Sequence, residues 1–207
     1  MIKLAKQCKN LRSFVHVSTA YSHATKIAIN LELDEKFYPS PVPPQTLISM
    51  AENMEESRLN RITPNFIKNW PNTYAFTKAV AEELIHSMTD NLPICIVRPG
   101  IITASYREPA PGWLDTSSIY GASGLLTGII VGFIHTVYNK PNVRMGFIPC
   151  DYVNNAIIVA GRETATNQEK GGDTAKIYAA VCFSRNALLS GNRFIIIINK
   201  RVNTNLF

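Results

Sequence analysis

The 207-residue sequence predicts an α/β fold: a partial Rossmann-like parallel sheet with flanking helices. Three observations predict it. Two short runs, "SFVHVST" and "PICIVRPG", are nearly continuous in apolar and β-branched residues, as strands buried on both faces are. A segment of helical period lies between them, which a parallel βαβ crossover requires. The first run closes on Ser18 and Thr19 and the second on a Pro-Gly turn, at the strand ends where open α/β sheets collect ligands.

The elements follow in order. Ile2, Leu4, Ala5, Cys8 and Leu11 fall near one side at helical spacing, so a helix is expected over 2–11, leading into the strand that starts near Phe14. Lys3, Lys6, Lys9 and Arg12 recur every three residues there, which leaves no apolar core for a secretory signal. From Tyr21 to Pro71 the periodicity weakens. "YPSPVPPQT" holds four of the 12 prolines, which excludes regular strand or helix, and one helical piece is expected around Thr46 to Leu59.

Pro71, Asn72 and Thr73 then supply helix-start chemistry. Ala75, Ala79, Val80, Leu84 and Ile85 carry an apolar stripe to about Met88, and Asn91 and Pro93 end it. Ile94 to Val97 form the second buried run. "DYVNNAIIVAGRE" reads as a helix with Val153, Ala156, Ile157 and Ala160 inward, and "KIYAAVCF" as another strand. The chain length suits one domain, expected over 1–190, with a divergent tail over 191–207.

A hydrophobic fraction of 46% with 17% charged residues is globular but poor in charge, so something apolar is expected to be bound or exposed. The net charge of +6 comes from scattered basic residues without a stripe, which points to an anionic ligand or a membrane surface as readily as to nucleic acid. Cys8, Cys95, Cys150 and Cys182 form no CxxC or CxxH pattern, so neither zinc nor a disulfide framework is expected, and reduced thiols suit a cytosol-facing protein. His16 and His135 have no second histidine or carboxylate at metal-ligand spacing and read as satisfied core or surface residues; Trp70 and Trp113 read as packing residues.

Residues 116–139 form a run of 24 residues without a formal charge. That is long enough to span a bilayer, and Gly124, Gly128 and Gly132 follow a small-x-x-x-small pattern. The hydroxyls, the histidine and the four glycines within it favour a buried or ligand-contacting segment over a span.

The chemistry centres on "NTYAFTKAVAEELI". Tyr74 and Lys78, four residues apart, share one helical face about a turn apart. An ammonium beside a phenol makes it a usable proton donor near neutral pH. A carbonyl oxygen needs that proton when hydride arrives at its carbon, the demand of nicotinamide reduction. Ser18 and Thr19 add hydroxyls that can hold the same oxygen.

The order of "FVHVSTAYSH", "NTYAFTKAVAEELI", "PICIVRPGIITASYREPAPGWLD" and "GFIPCDYVNNAIIVA" resembles the extended short-chain dehydrogenase/reductases, and specifically the alcohol-forming fatty acyl-CoA reductases of insects. The likeness covers roughly residues 1–165. It implies NADPH-dependent reduction of a long-chain acyl-CoA to fatty alcohol and free coenzyme A, in a cytosol-facing protein associated with the endoplasmic reticulum or peroxisomal membrane. It casts Tyr74 as the proton donor and Lys78 as the residue that tunes it and holds the nicotinamide ribose. Thr19, just before Ala20, would orient the carbonyl, with Ser18 as the alternate; Pro99, Gly100, Ile101 and Ile102 would pass beside the carboxamide.

The sequence departs from that family in two places. No G-x-G-x-x-G turn precedes Ser18, and the likeness fades after about Ser190, so the chain reads as a fragment lacking the phosphate-seating turn and the C-terminal domain. Poor NADPH binding by the 207-residue chain is the expectation. Two other readings stay open: a catalytically silent lipid- or partner-binding remnant, and another extended short-chain reductase acting on a sterol or sugar nucleotide.

Overall fold

The computed structural model describes residues 1–28, 33–88, 92–117, 119–137, 144–169, 175–181 and 188–189. Its elements are α1 (Ile2–Ala5), β1 (Phe14–Val17), α2 (Pro44–Asn53), α3 (Glu56–Phe66), α4 (Thr73–His86), β2 (Ile94–Pro99), β3 (Ile101–Thr103), α5 (Gly121–Ile130), β4 (Arg144–Met145), β5 (Phe147–Pro149), α6 (Cys150–Glu169), β6 (Lys176–Ala180) and β7 (Leu188–Leu189). Among the described residues two compact units form, one within Met1–Pro99 and Ala156–Ala180, the other within Gly100–Asn155 and the described residues from Val181 on. The tail expected over 191–207 lies outside the described residues.

The first unit is the parallel sheet that the apolar runs predict, in the order β1-β2-β6. Phe14 pairs with Ile94 and Val17 with Val97; Cys95 pairs with Lys176 and Pro99 with Ala180, all parallel. All six residues of β2 are buried, because its two sets of side chains enter two different cores. Ile94 and Ile96 join Ile85 and Ile177 in one. Cys95 and Val97 join Ala160 in the other, with Val15, Ile157 and Tyr178 against them. Helix α4 therefore covers one face and α6 the other, which is why β2 has no polar alternation.

Two helical expectations are corrected. The first helix covers only Ile2–Ala5, not 2–11. Its cap lacks a side-chain bond, Ala5 alone is buried and Leu4 is 56% exposed, so too little packing supports a longer helix. The single piece expected around Thr46 to Leu59 is two helices, separated where Met54 takes an extended conformation at ψ 145°. The first of them starts at Pro44, inside the proline-rich stretch read as free of helix. Proline is tolerated at the first helical positions, where the N–H it lacks has no intrahelical acceptor.

In the second unit β3 pairs parallel with β5, Ile101 opposite Phe147 and Thr103 opposite Pro149, and β4 pairs antiparallel with β7. Asp151, buried in the first turn of α6, accepts the backbone N–H groups of Tyr106, Arg107 and Glu108 at 3.0, 2.8 and 3.2 Å. Its desolvation would raise the carboxyl pKa, but those backbone donors outweigh it and hold the pKa at about 2. The loop after β3 is thus tied down by an anion at any physiological pH.

The apolar run over 116–139 contributes α5, whose ten residues span about 15 Å at 1.5 Å per residue. Beyond it the chain turns back: Phe133 and Ile134 both donate to the Gly128 carbonyl, and Gly132 takes φ 79°. A Cβ on Gly128 would lie 2.7 Å from Ile134 Cδ1, so this glycine serves the chain's own turn. No helix among the described residues is long and apolar enough to cross a membrane. Ser123 and Ile129 are buried, while Ile130, Val131 and Phe133 are exposed at 53, 68 and 86%, so only part of the run is interior.

Candidate active site

Helix α4 starts where the sequence places it. Asn72 is its cap, its side-chain oxygen accepting the Ala75 N–H at 2.9 Å. Ala75, Phe76, Ala79, Val80 and Ile85 turn inward, leaving Tyr74 55% exposed on the first turn. Lys78, half-buried one turn on, points its ammonium along the helix surface. Its Nζ donates to the carbonyl of Val17, the last residue of β1, at 2.9 Å and lies 5.9 Å from the centre of the Tyr74 ring. One cation thus faces both the phenol and the carboxyl end of the first strand.

Ser18 and Thr19 continue from that strand end and are buried. The Ser18 N–H donates to Val97 and the Ala20 N–H to Pro99, both at 2.8 Å, which extends the ladder with β2 past Thr19. The Ser18 hydroxyl donates to the Glu82 carboxylate. The Thr19 hydroxyl accepts the Tyr21 N–H at 3.3 Å, a contact that uses a lone pair and not its proton. Of the two hydroxyls, Thr19 is the one whose proton is uncommitted by these bonds.

Glu82 is the group that sequence reading missed. It is 1% exposed and collects the hydroxyl of Ser22 at 3.1 Å, His23 Nε2 at 3.3 Å, and Arg98 Nε and Nη2 at 3.1 and 2.6 Å. Burial would raise its pKa; the bonds from His23, Arg98 and Ser18, with the Arg98 charge, override that and hold it at about 2. Two signals were present in the sequence. Glu82 occupies an inward position of an apolar stripe, and Arg98 is the one charge in "ICIVRP"; a charge in a fully buried strand must find a partner.

His16, on β1, is not the satisfied histidine expected. Its Nε2 is buried with no hydrogen-bond partner among the described residues. Desolvation and the Lys78 charge lower its pKa, with Glu82 opposing, so the ring is held toward its neutral form. His135 is exposed, and Trp113 is 48% exposed, whereas Trp70 packs edge-on against Phe76 and donates to the Ser22 carbonyl at 2.9 Å.

Pro99 closes β2 in the first unit, while Gly100, Ile101 and Ile102 begin the second. Gly100 has a structural reason to be glycine. A Cβ there would stand 2.3 Å from the Gly146 carbonyl oxygen, the same oxygen that accepts the Ile101 N–H at 2.8 Å. Gly100→Ala is therefore expected to cost the second unit about 1–3 kcal/mol without any ligand present. Urea unfolding followed through Trp113 fluorescence in a Trp70→Phe background measures it; an unchanged midpoint would return Gly100 to a purely ligand-facing role.

Residues 1–157 match the family of NAD-binding domains described as male sterility protein. The chain belongs to the male sterility protein family. Relatives of this family member include the fatty acyl-CoA reductase wat of Drosophila melanogaster, 36% identical over 168 residues, which are 81% of this chain and 31% of the relative. Human fatty acyl-CoA reductase 1 is 39% identical over 170 residues, 82% of this chain and 32% of the relative. The chain thus spans about a third of the length of these relatives. A thiolation-reductase di-domain of an archaeal non-ribosomal peptide synthetase shares its fold with a TM-score of 0.50, covering 97% of this chain and 35% of that one at 13% identity.

For a member of the male sterility protein family, a nicotinamide cofactor is the ligand class the site has to fit. The residues present suit its nicotinamide end: the Lys78 ammonium lies by the exposed Tyr74 ring and on the Val17 carbonyl, and Ser18 and Thr19 follow Val17 at the carboxyl end of β1.

Proposed function

We propose that the chain carries the proton-delivery residues of an NADPH-dependent reductase that converts long-chain fatty acyl-CoA to fatty alcohol and free CoA. The observation that carries this reading is the anchoring of Lys78 on the Val17 carbonyl, one turn past Tyr74 and next to Ser18 and Thr19. The names of the curated relatives supply the substrate class.

Reduced nicotinamide, when bound, would supply one hydride to the acyl carbonyl carbon, with the C–S bond breaking to release CoA as its thiol and leave an aldehyde, and a second reduced cofactor would supply the hydride that takes the aldehyde to the alcohol. Thr19, with Ser18 behind it, holds the carbonyl oxygen; Tyr74 delivers the proton that neutralises it; Lys78 keeps positive charge beside the phenol and reaches the nicotinamide ribose. Pro99, which ends β2 in the same unit, would border the carboxamide. The exposed Ile130, Val131 and Phe133, with a net charge of +6, suit the cytosolic surface of the endoplasmic reticulum or peroxisomal membrane, which co-sedimentation with anionic vesicles checks.

The 207-residue chain alone is proposed to bind NADPH weakly. The test mixes it with long-chain acyl-CoAs and millimolar NADPH or NADH and follows fatty alcohol and free thiol. Slow alcohol formation with NADPH, and no saturable nicotinamide fluorescence at micromolar cofactor, are the expected results. Acyl-chain binding with no alcohol at any cofactor concentration would replace this reading with the silent lipid-binding one.

A further inference from the structure

We propose that Glu82 is a positioning residue, fixing the hydroxyl-bearing end of β1 against the helix that carries Tyr74 and Lys78; its meaning for catalysis rests on the reductase reading above. Tyr74, Lys78 and Glu82 follow one another at intervals of four on α4. At 100° per residue each step rotates the row by about 40°. The row accordingly sinks from Tyr74, 55% exposed, through half-buried Lys78 to Glu82, 1% exposed.

The two lower members hold consecutive residues of the strand end. Lys78 takes the Val17 carbonyl and Glu82 takes the Ser18 hydroxyl. Glu82 also takes the Ser22 hydroxyl, and Trp70, just ahead of α4, holds the Ser22 carbonyl. The turn from Ser18 to Ser22, with Thr19 inside it, is therefore gripped at both ends by α4 and the chain entering it. Its other side is fixed by the Val97 and Pro99 carbonyls of β2.

Glu82 is itself immobilised. Arg98 bonds both carboxylate oxygens and also donates from Nη1 to the Asp34 carbonyl and from Nη2 to the Lys36 carbonyl, at 3.2 and 3.0 Å. Ser18, Ser22 and Arg98 Nε all donate to Oε1, and Arg98 Nη2 donates to Oε2. Glutamine keeps the volume but, even with its oxygen at the Oε1 position, sets an NH₂ against Arg98 Nη2 and removes the charge that strengthens both serine bonds. The tightness of the strand-end turn thus depends on the carboxylate and not on the space it fills.

Glu82→Gln tests this in the 207-residue chain, with no cofactor or substrate. Hydrogen exchange at the Ser18 and Ala20 amides is expected to quicken at least about tenfold while α6 and β6 amides keep their protection. In protein labelled with ¹³C at the lysine ε-carbon, the Lys78 signal, assigned against Lys78→Arg, is expected to shift while other lysine signals stay. Unmoved Lys78 resonance with unchanged Ser18 and Ala20 exchange would overturn the proposal.

If Glu82→Gln does not fold, Ser18→Ala/Ser22→Ala decides, because it leaves the Glu82–Arg98 pair intact. The same Lys78 shift and local exchange support the proposal, and wild-type behaviour sinks it. Both readouts are blind to catalysis. An inactive chain with a moved Lys78 signal fails the reductase reading alone, and an active chain with an unmoved one fails this inference alone.

Discussion

Arg98→Met is expected to lower the stability of the chain by about 3–5 kcal/mol at pH 7, the cost of leaving a buried carboxylate without its cation. Arg98 and Glu82 have side-chain exposures of 6 and 2% and meet at 2.6 Å. Methionine fills much of the stem volume, so little of the loss comes from packing. The remaining partners, the Ser18 and Ser22 hydroxyls and the His23 ring, bring hydrogen bonds but no fixed charge.

The pH dependence separates this cause from a packing defect. Glu82 titrates at about 2 in the folded chain against an ordinary value of 4.5, so its contribution is fully present above about pH 4.5 and is lost as pH falls toward 2. In the variant the carboxyl, stripped of the guanidinium, takes up a proton more readily than in the wild type. The gap between the two proteins should therefore be widest at neutral pH and narrow below about pH 4.5. Urea midpoints by circular dichroism at pH 7 and pH 3 measure it; an equal gap at both would assign Arg98 to packing alone.

The same pair shows what the sequence could and could not convey. The buried strand β2 was legible because continuous apolar character has one physical explanation in a parallel sheet, coverage on both faces. Helix α4 was legible because Asn72 and the apolar stripe are local signals. Glu82 and Arg98 are 16 residues apart, and their pairing exists only after the helix packs on the strand. Thr46 to Leu59 failed for a related reason: two short helices were merged because no sequence signal marked Met54 as extended. The run over 116–139 is apolar in composition, but composition is silent on the turn in which Phe133 and Ile134 donate to the Gly128 carbonyl and Ile134 packs where a Gly128 side chain would stand.

The candidate site was legible to a similar depth. Tyr74, Lys78, Ser18 and Thr19 could be picked out by type and order, and the structure places the Lys78 ammonium on the strand end that bears the two hydroxyls. What spacing could not convey is the anchor. Lys78 is aimed by a backbone carbonyl, so its direction depends on where β1 ends, not on the helix alone.

On the proposed reductase function, Tyr74→Phe is expected to lower the rate of alcohol formation by about 10²–10⁴-fold at saturating cofactor and acyl-CoA, the range general-acid catalysis supplies. The phenol is 55% exposed and contributes little packing, so the folded chain should be unchanged by circular dichroism. Loss confined to kcat, with KM for acyl-CoA near the wild-type value, would mean that the hydroxyl acts only as charge develops on the carbonyl oxygen. Lys78→Met should differ in kind. It removes the cation beside the phenol and also the bond to the Val17 carbonyl, so it lowers kcat, raises KM for the cofactor and loosens the Ser18 turn. Alcohol formation undiminished in Tyr74→Phe would remove Tyr74 from the mechanism and leave Lys78 as a structural clasp between α4 and β1.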